Sequence, residues 1–148
     1  MEFLNSEFLI ETIVPEDELI ISRTDLKGII TYANDTFAAI SGYSADELVG
    51  KPHSIVRHPD MPRAVFKEMW EKLSRGEQWS GVVKNLRKDR GFYWVYAVVS
   101  GVYKDDLLVE YKSIRSPVSF ETKLKHQREY DIMRSRAKER VRRVVYSE

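Results

Sequence analysis

The chain has 148 residues, 43% of them hydrophobic and 32% charged, with a formal net charge of +1. That is the size of one ordinary globular domain with an appendage, and the near-neutral balance offers no global case for nucleic acid or an acidic membrane. The absence of cysteine removes disulfides, thiolate chemistry and cysteine-ligated metal, and fits a reducing compartment.

The N-terminus, "MEFLNSEFLIETIVPEDE", is acidic and has no basic n-region, so it does not read as a signal peptide. No apolar run approaches the ~20 residues that a membrane-spanning helix needs. The expectation is a soluble, cytoplasmic chain that reaches a membrane only through a partner. Residues 1–18 read as an N-terminal cap, with apolar positions at Phe3, Leu4, Phe8, Leu9 and Ile13 ahead of Pro15.

"ELIISRTD" and "IITYAN" read as two strands joined by a turn at Gly28. "DTFAAISGYS" is a short helix stopped by Gly42, and "SADELVG" carries a capping-box pattern at Ser44 and Glu47. In "RAVFKEMWEKLSRGE", Val65, Phe66, Met69, Trp70 and Leu73 share one helical face. Three β-rich runs follow, "WSGVVKNLRK", "FYWVYAVVSGVY" and "LLVEYKSIRS", with "DRG" and "KDD" as turns. This order predicts an α+β domain over 19–118, a five-stranded antiparallel sheet with short helices on one side.

From Ser119 the chain carries nine Lys/Arg against five Asp/Glu, a net +4 that leaves −3 for the rest. Residues 119–148 contain no Gly or Pro, and Leu124, Tyr130, Met133, Ala137, Val141 and Val144 form a narrow apolar stripe. The pattern predicts a helix leaving the domain. A coiled-coil or docking helix, a solvated helix lying back on the domain, and a basic face for nucleic acid all remain open, the last weakened by the interspersed acids.

The densest chemistry lies in "HSIVRHPDMP", residues 53–62. Pro59 and Pro62 prevent regular structure through its middle. Asp60, Pro59 and Pro62 suit a helix stop and restart, but that reading does not require Arg57 or His58. Either the segment is an ordinary polar turn, or an anionic group sits against it. His53 and His58 have no third imidazole nearby and do not make a zinc pattern. No nucleophile elbow, Gly-rich phosphate loop or H-E-x-x-H occurs, so catalysis finds little support.

The words "TDLKGIITYANDTFAAISGYSADELVGKPHSIVRHPDMP" and "MWEKLSRGEQWSGVVKNLRKDRGFYWV" resemble a PAS domain, in particular the flavin-binding PAS domains of bacterial aerotaxis receptors. More loosely they are similar to the redox-sensing flavin PAS domains of nitrogen-fixation regulators. "SGY", "ELVG" and "YAN" specify only the fold. "VRHPDMP", the two tryptophans with "WSGxVKNxRK", and "YWV" are more specific. The resemblance implies non-covalent FAD between sheet and helices, with Arg57, His58 and Asp60 taking part in binding and His53 facing the flavin. It puts a flavin-binding amide at Asn85, whose donor and acceptor match the edge of the flavin ring. It also makes Trp70 and Trp79 pocket-lining residues, against the alternative of plain core. Asn34 either lines the pocket or caps the next helix, and Asp60 either binds cofactor or holds the turn.

The implied function is an FAD-binding redox sensor for aerotaxis or energy taxis and not an enzyme, signalling to a chemotaxis receptor or kinase complex, with a homodimer as a further expectation. The chain ends at Glu148, where an aerotaxis receptor continues into membrane helices and a signalling coiled coil. It is expected to be either a stand-alone protein or a portion of a longer one. Three rivals remain: a PAS interaction or dimerisation module without cofactor, a haem-binding PAS sensor, and a small flavoenzyme.

Overall fold

A computed structural model describes residues 10–139. Their elements are β1 (Ile20–Thr24), β2 (Ile30–Ala33), α1 (Asp35–Ser41), α2 (Ala45–Leu48), a 3-10 turn (His53–Val56), α3 (Arg63–Ser74), β3 (Trp79–Leu86), β4 (Phe92–Lys104), β5 (Leu107–Ser116) and α4 (Phe120–Arg136). The five strands form one antiparallel sheet in the order β2-β1-β5-β4-β3. The expected α+β architecture is the one found. Phe3, Leu4, Phe8, Leu9, Val141 and Val144 lie outside the described residues.

Local chemistry explains the boundaries. Asn34 Oδ1 accepts from Phe37 N–H at 3.0 Å and Ile21 N–H at 3.1 Å, while Nδ2 donates to the Leu19 carbonyl at 3.0 Å. One side chain thereby caps α1 and fastens it to β1. The Ser44–Glu47 capping box forms as its spacing predicts. In the β4–β5 hairpin, Asp105 (φ 50°) and Asp106 (φ 65°) are both left-handed, the geometry that matches the twist of a tight antiparallel turn.

The core lies between the inner face of the sheet and helices α1–α3. Ile20, Ile30, Phe37, Leu48, Val56, Tyr93 and Val95 are almost wholly buried there, each side chain worth roughly 1.5–3 kcal/mol of apolar burial. Strand alternation sends Val83 and Asn85 inward and Val82 and Lys84 to the outer face.

The outer face departs from the expectation of a helix leaving the domain. Helix α4 lies back across β3 and β4: Tyr130 stacks on Trp94 with ring centroids 6.4 Å apart, and its hydroxyl donates to the Val82 carbonyl. Tyr130 and Met133 join the core, whereas Leu124 stays 44% exposed. The narrow stripe finds its partner on its own sheet, because Trp94 and Val82 would otherwise face water. Residues 10–12 extend the same side. Thr12 N–H donates to Phe92 O and Phe92 N–H to Ile10 O, beyond the point where β5 has stopped pairing with β4. Lys123 of α4 closes onto Glu11 at 2.7 Å. Among the described residues no helix is long and apolar enough to cross a membrane.

Candidate functional site

A cavity of about 240 Å³ opens between the inner sheet face and the segment from His53 to Trp70. Strands β3, β4 and β5 supply Trp79, Val83, Asn85, Ala97, Val99 and Arg115, and β1 supplies Ser22. The helical side supplies His53, Arg57, Phe66, Met69 and Trp70. Among the described residues no aspartate or glutamate lines it, whereas Lys27, Arg57, Lys112 and Arg115 do. The mouth is marked by Trp70, 43% exposed, which meets Tyr111 edge-on at 5.5 Å.

The closed end is polar. Arg115, only 2% exposed, donates to Ser22 Oγ at 2.7 Å and lies 3.2 Å from His53 Nε2. A guanidinium only donates, so His53 Nε2 accepts, and the ring is the Nδ1–H tautomer. Ser22 Oγ stands 3.0 Å from the same nitrogen. Burial, helped by the charge of Arg115, pushes the His53 pKa down to about 3, so this imidazole is neutral. Burial brings Arg115 down to about 10, which leaves it charged at neutral pH. Phe37 lies beneath both groups, stacked on His53 at 5.7 Å and under the guanidinium at 4.3 Å.

The PAS-fold family profile matches residues 30–114, which carry β2 through most of β5 and most of these walls, with Ser22, Lys27 and Arg115 outside it. The chain belongs to the PAS family. Among known PAS-containing proteins, the aerotaxis receptor of Escherichia coli K12 is 49% identical over 105 residues, covering 71% of this chain and 21% of the receptor. The nitrogen fixation regulatory protein of Klebsiella pneumoniae is 34% identical over 84 residues, 57% of this chain and 17% of the regulator. This chain thus spans about a fifth of the length of these relatives. In three dimensions it is similar to the dark structure of the blue-light photoreceptor Aureochrome1 LOV, with a TM-score of 0.67 at 23% identity, covering 76% of this chain and 85% of that one. That likeness concerns the fold alone.

The PAS cavity gathers five of the eight residues singled out from the sequence: His53, Arg57, Trp70, Trp79 and Asn85. Asn85 is 4% exposed, and its backbone bridges that of Arg57. The Arg57 guanidinium lies 3.8 Å over the Phe66 ring. Trp79 folds its ring back over Gly81, where an added Cβ would meet it at 2.6 Å, and its indole N–H donates to Glu68 at 3.1 Å. The glycine in "WSG" is therefore needed for this tryptophan to lie flat against the strand.

The other three stand elsewhere. Asn34 is spent on capping α1. His58 and Asp60 do not line the cavity, because the turn at Pro59 carries them past β3 towards α4. His58 is 1% exposed, and its Nδ1 accepts from Asp60 N–H at 3.0 Å. Burial, then the nearby Lys84 charge, brings its pKa down to about 4. Burial acts to raise the Asp60 carboxyl, but the hydrogen bond and charge of Lys84, with His58 and Arg134, hold it below the ordinary value. Sequence reasoning missed Arg115 and Ser22. The only available signal was the period-two phase of Tyr111, Ser113 and Arg115, and both faces of that strand carry polar residues.

Proposed function

We propose that this PAS domain binds FAD in the cavity and serves as a redox sensor for aerotaxis or energy taxis. The observation that carries the reading is the donor set of the cavity: a buried guanidinium with an orphaned Nε, further cations towards the mouth, a buried amide, and no carboxylate. Such walls suit a ligand with an apolar ring, an edge that both donates and accepts, and a negative tail.

Asn85 would meet the ring edge, with Trp79 and His53 bounding the ring. Arg57 and Trp70 would hold the tail towards the mouth. His58, Asp60 and Asn34 would act one step back, by holding the loop and α1 that carry the others. Bound FAD supplies reversible electron transfer. The protein's part is to exclude water, orient the ring and re-pair Asn85, His53 and Ser22 when the charge of the ligand changes. Re-pairing at Ser22 and Arg115 acts directly on β1 and β5, and a redox state biases output only through such differential contacts.

The aerotaxis receptor named above supports a taxis role. The proposal adds a chemotaxis receptor or signalling protein as partner, a homodimer as a working assembly, and a cytoplasmic setting beside that partner. The haem reading fares worse. His53 is the cavity's own histidine, and its Nε2 is occupied by Arg115 and Ser22, where a cation would oppose iron. The test is an absorption spectrum of purified protein with identification of the heat-released cofactor. Oxidised-flavin bands and released FAD are expected. A protein that stays colourless after incubation with FAD would overturn the proposal.

A further inference from the structure

We propose that Glu139, in the turn that follows α4, is the N-terminal cap that α3 lacks, and that this cap couples the helical wall of the cavity to the end of α4. The link to ligand binding rests on reading the cavity as a flavin site; the cap itself does not.

Helix α3 starts without local support. Pro62 stands at its N-cap position and has no side-chain acceptor, and its first turn contains no acidic residue. The first helical residue is Arg63, a charge of the wrong sign for a helix N-terminus. The acceptor comes instead from a residue 76 positions away: Glu139 Oε1 accepts from Arg63 N–H at 3.1 Å and lies 3.7 Å from Arg63 Nε. The Arg63 side chain is 82% exposed, whereas that of Glu139 is only 13% exposed. A carboxylate so deeply covered is costly unless donors face it. An exposed guanidinium offsets little of that cost, so the backbone N–H and the positive end of α3 are what this carboxylate answers to.

The end of α4 is built to deliver the group. Lys138 N–H donates to Ser135 O at 3.2 Å and Glu139 N–H to Arg134 O at 2.9 Å. With Lys138 left-handed at φ 56°, these bonds complete a Schellman turn, in which glycine is the usual left-handed residue. A lysine persists in that conformation where its surroundings over-determine it. The turn fixes the direction in which residue 139 leaves the helix.

A polar cleft of about 120 Å³ lies beside this contact, with Arg57, Arg63, Arg134 and Glu139 among its walls. Arg57 is also in the wall of the main cavity, and its guanidinium lies over Phe66, one turn into α3. The start of α3 is therefore held from two sides, by the Arg57–Phe66 stack at the cavity and by Glu139 at its tip. A ligand that holds Arg57 and Phe66 holds the first turn of α3, and with it the N–H that Glu139 needs. Such coupling is reciprocal.

The experiment follows amide hydrogen exchange by NMR in the full chain, as purified, then stripped of and resaturated with FAD. In the protein as purified, Glu139→Ala should speed exchange at Arg63 and at Lys67–Trp70, whose amides close the first turns of α3. The expected change is roughly three- to thirtyfold, the range set by a lost cap, with the buried amides of the sheet unchanged. Glu139→Gln keeps an acceptor and should keep most of the protection. Ala64→Asp places an acid at an exposed first-turn position and, added to Glu139→Ala, should recover part of the protection at Lys67–Trp70. Wild-type exchange in Glu139→Ala, or no recovery from Ala64→Asp, overturns the cap. In the second arm, FAD should slow exchange at Arg63, Lys138 and Glu139 together, by about fivefold or more, and in Glu139→Ala the slowing should no longer reach Lys138. Equal slowing at Lys138 in that variant, or none in wild type, overturns the coupling and leaves the flavin reading standing. If wild type takes up no FAD, the flavin reading fails, and the first arm alone decides whether Glu139 is the cap.

Discussion

Asp60 accepts a hydrogen bond from Lys84 Nζ at 2.7 Å, and this contact ties the loop ahead of α3 to the outer face of β3. Lys84 is 6% exposed, lies over the Phe92 ring at 4.5 Å and also donates to Gln127 of α4. Arg134 of α4 approaches Asp60 at 3.9 Å from the other side. The loop that delivers Arg57 to the cavity is therefore latched, three residues later, to the helix on the opposite face of the sheet.

Breaking this latch from one side leaves a buried ammonium without its anion. Asp60→Asn should destabilise the fold by about 2–4 kcal/mol, and adding Lys84→Met should restore part of the loss. Urea denaturation of the two single variants and the double variant measures the coupling. Additive losses would show that the pair contributes nothing as a pair.

His53 and His58 both predict a stability that falls in mild acid. Their folded pKa values, about 3 for His53 and about 4 for His58, lie below the ordinary 6.5, so between these limits the unfolded chain binds more protons. Stability should be level above pH ~6.5 and fall as pH drops towards 4, with a slope of up to ~1.4 kcal/mol per pH unit for each group. Asp60, held below its usual 3.8, adds its own loss only at lower pH, as it becomes protonated in the folded state. Denaturation midpoints at a series of pH values test this, and His53→Gln should remove one proton from the slope. A flat profile from pH 6.5 to 4.5 would contradict the neutral assignment of the two imidazoles.

Flavin titrations should divide the "VRHPDMP" residues by location. Asn85→Ala should weaken FAD, FMN and riboflavin alike, by up to about a hundredfold for a lost buried hydrogen bond. Arg57→Ala should weaken FAD more than riboflavin. His58→Ala should weaken all three equally and lower the melting temperature, since it acts through the loop. A loss specific to FAD at His58 would place that imidazole at the phosphates after all.

Helix α4 covers the face of the sheet opposite the cavity and supplies none of its walls. Tyr130→Ala should cost about 3 kcal/mol through the lost contact with Trp94. Truncation after Pro117 should uncover Trp94 and Val82, lower stability and promote association, with oxidised-flavin affinity nearly unchanged. Light scattering and flavin titration on both forms check this. Lost flavin binding without association would make α4 part of the scaffold of the cavity.

The sequence by itself determined the elements and their order, because each depends on neighbours a few residues away. The Ser44–Glu47 box, the stop at Gly42, the period-two strands and the turn at Asp105–Asp106 are all local. It also pointed to His53, Arg57, Trp70, Trp79 and Asn85, the five named residues that the fold brings around one cavity. Tertiary structure alone decided that Arg57 and His58, adjacent in the chain, separate: one enters the cavity while the other turns past β3 towards α4. It alone decided that α4 returns to its own sheet, since an amphipathic stripe specifies that it must be covered and not by what. And it alone exposed Arg115, whose significance lies in the missing counter-charge around it. A strand pattern shows which residues share a face, but only packing shows that an arginine on that face has been buried without an anion.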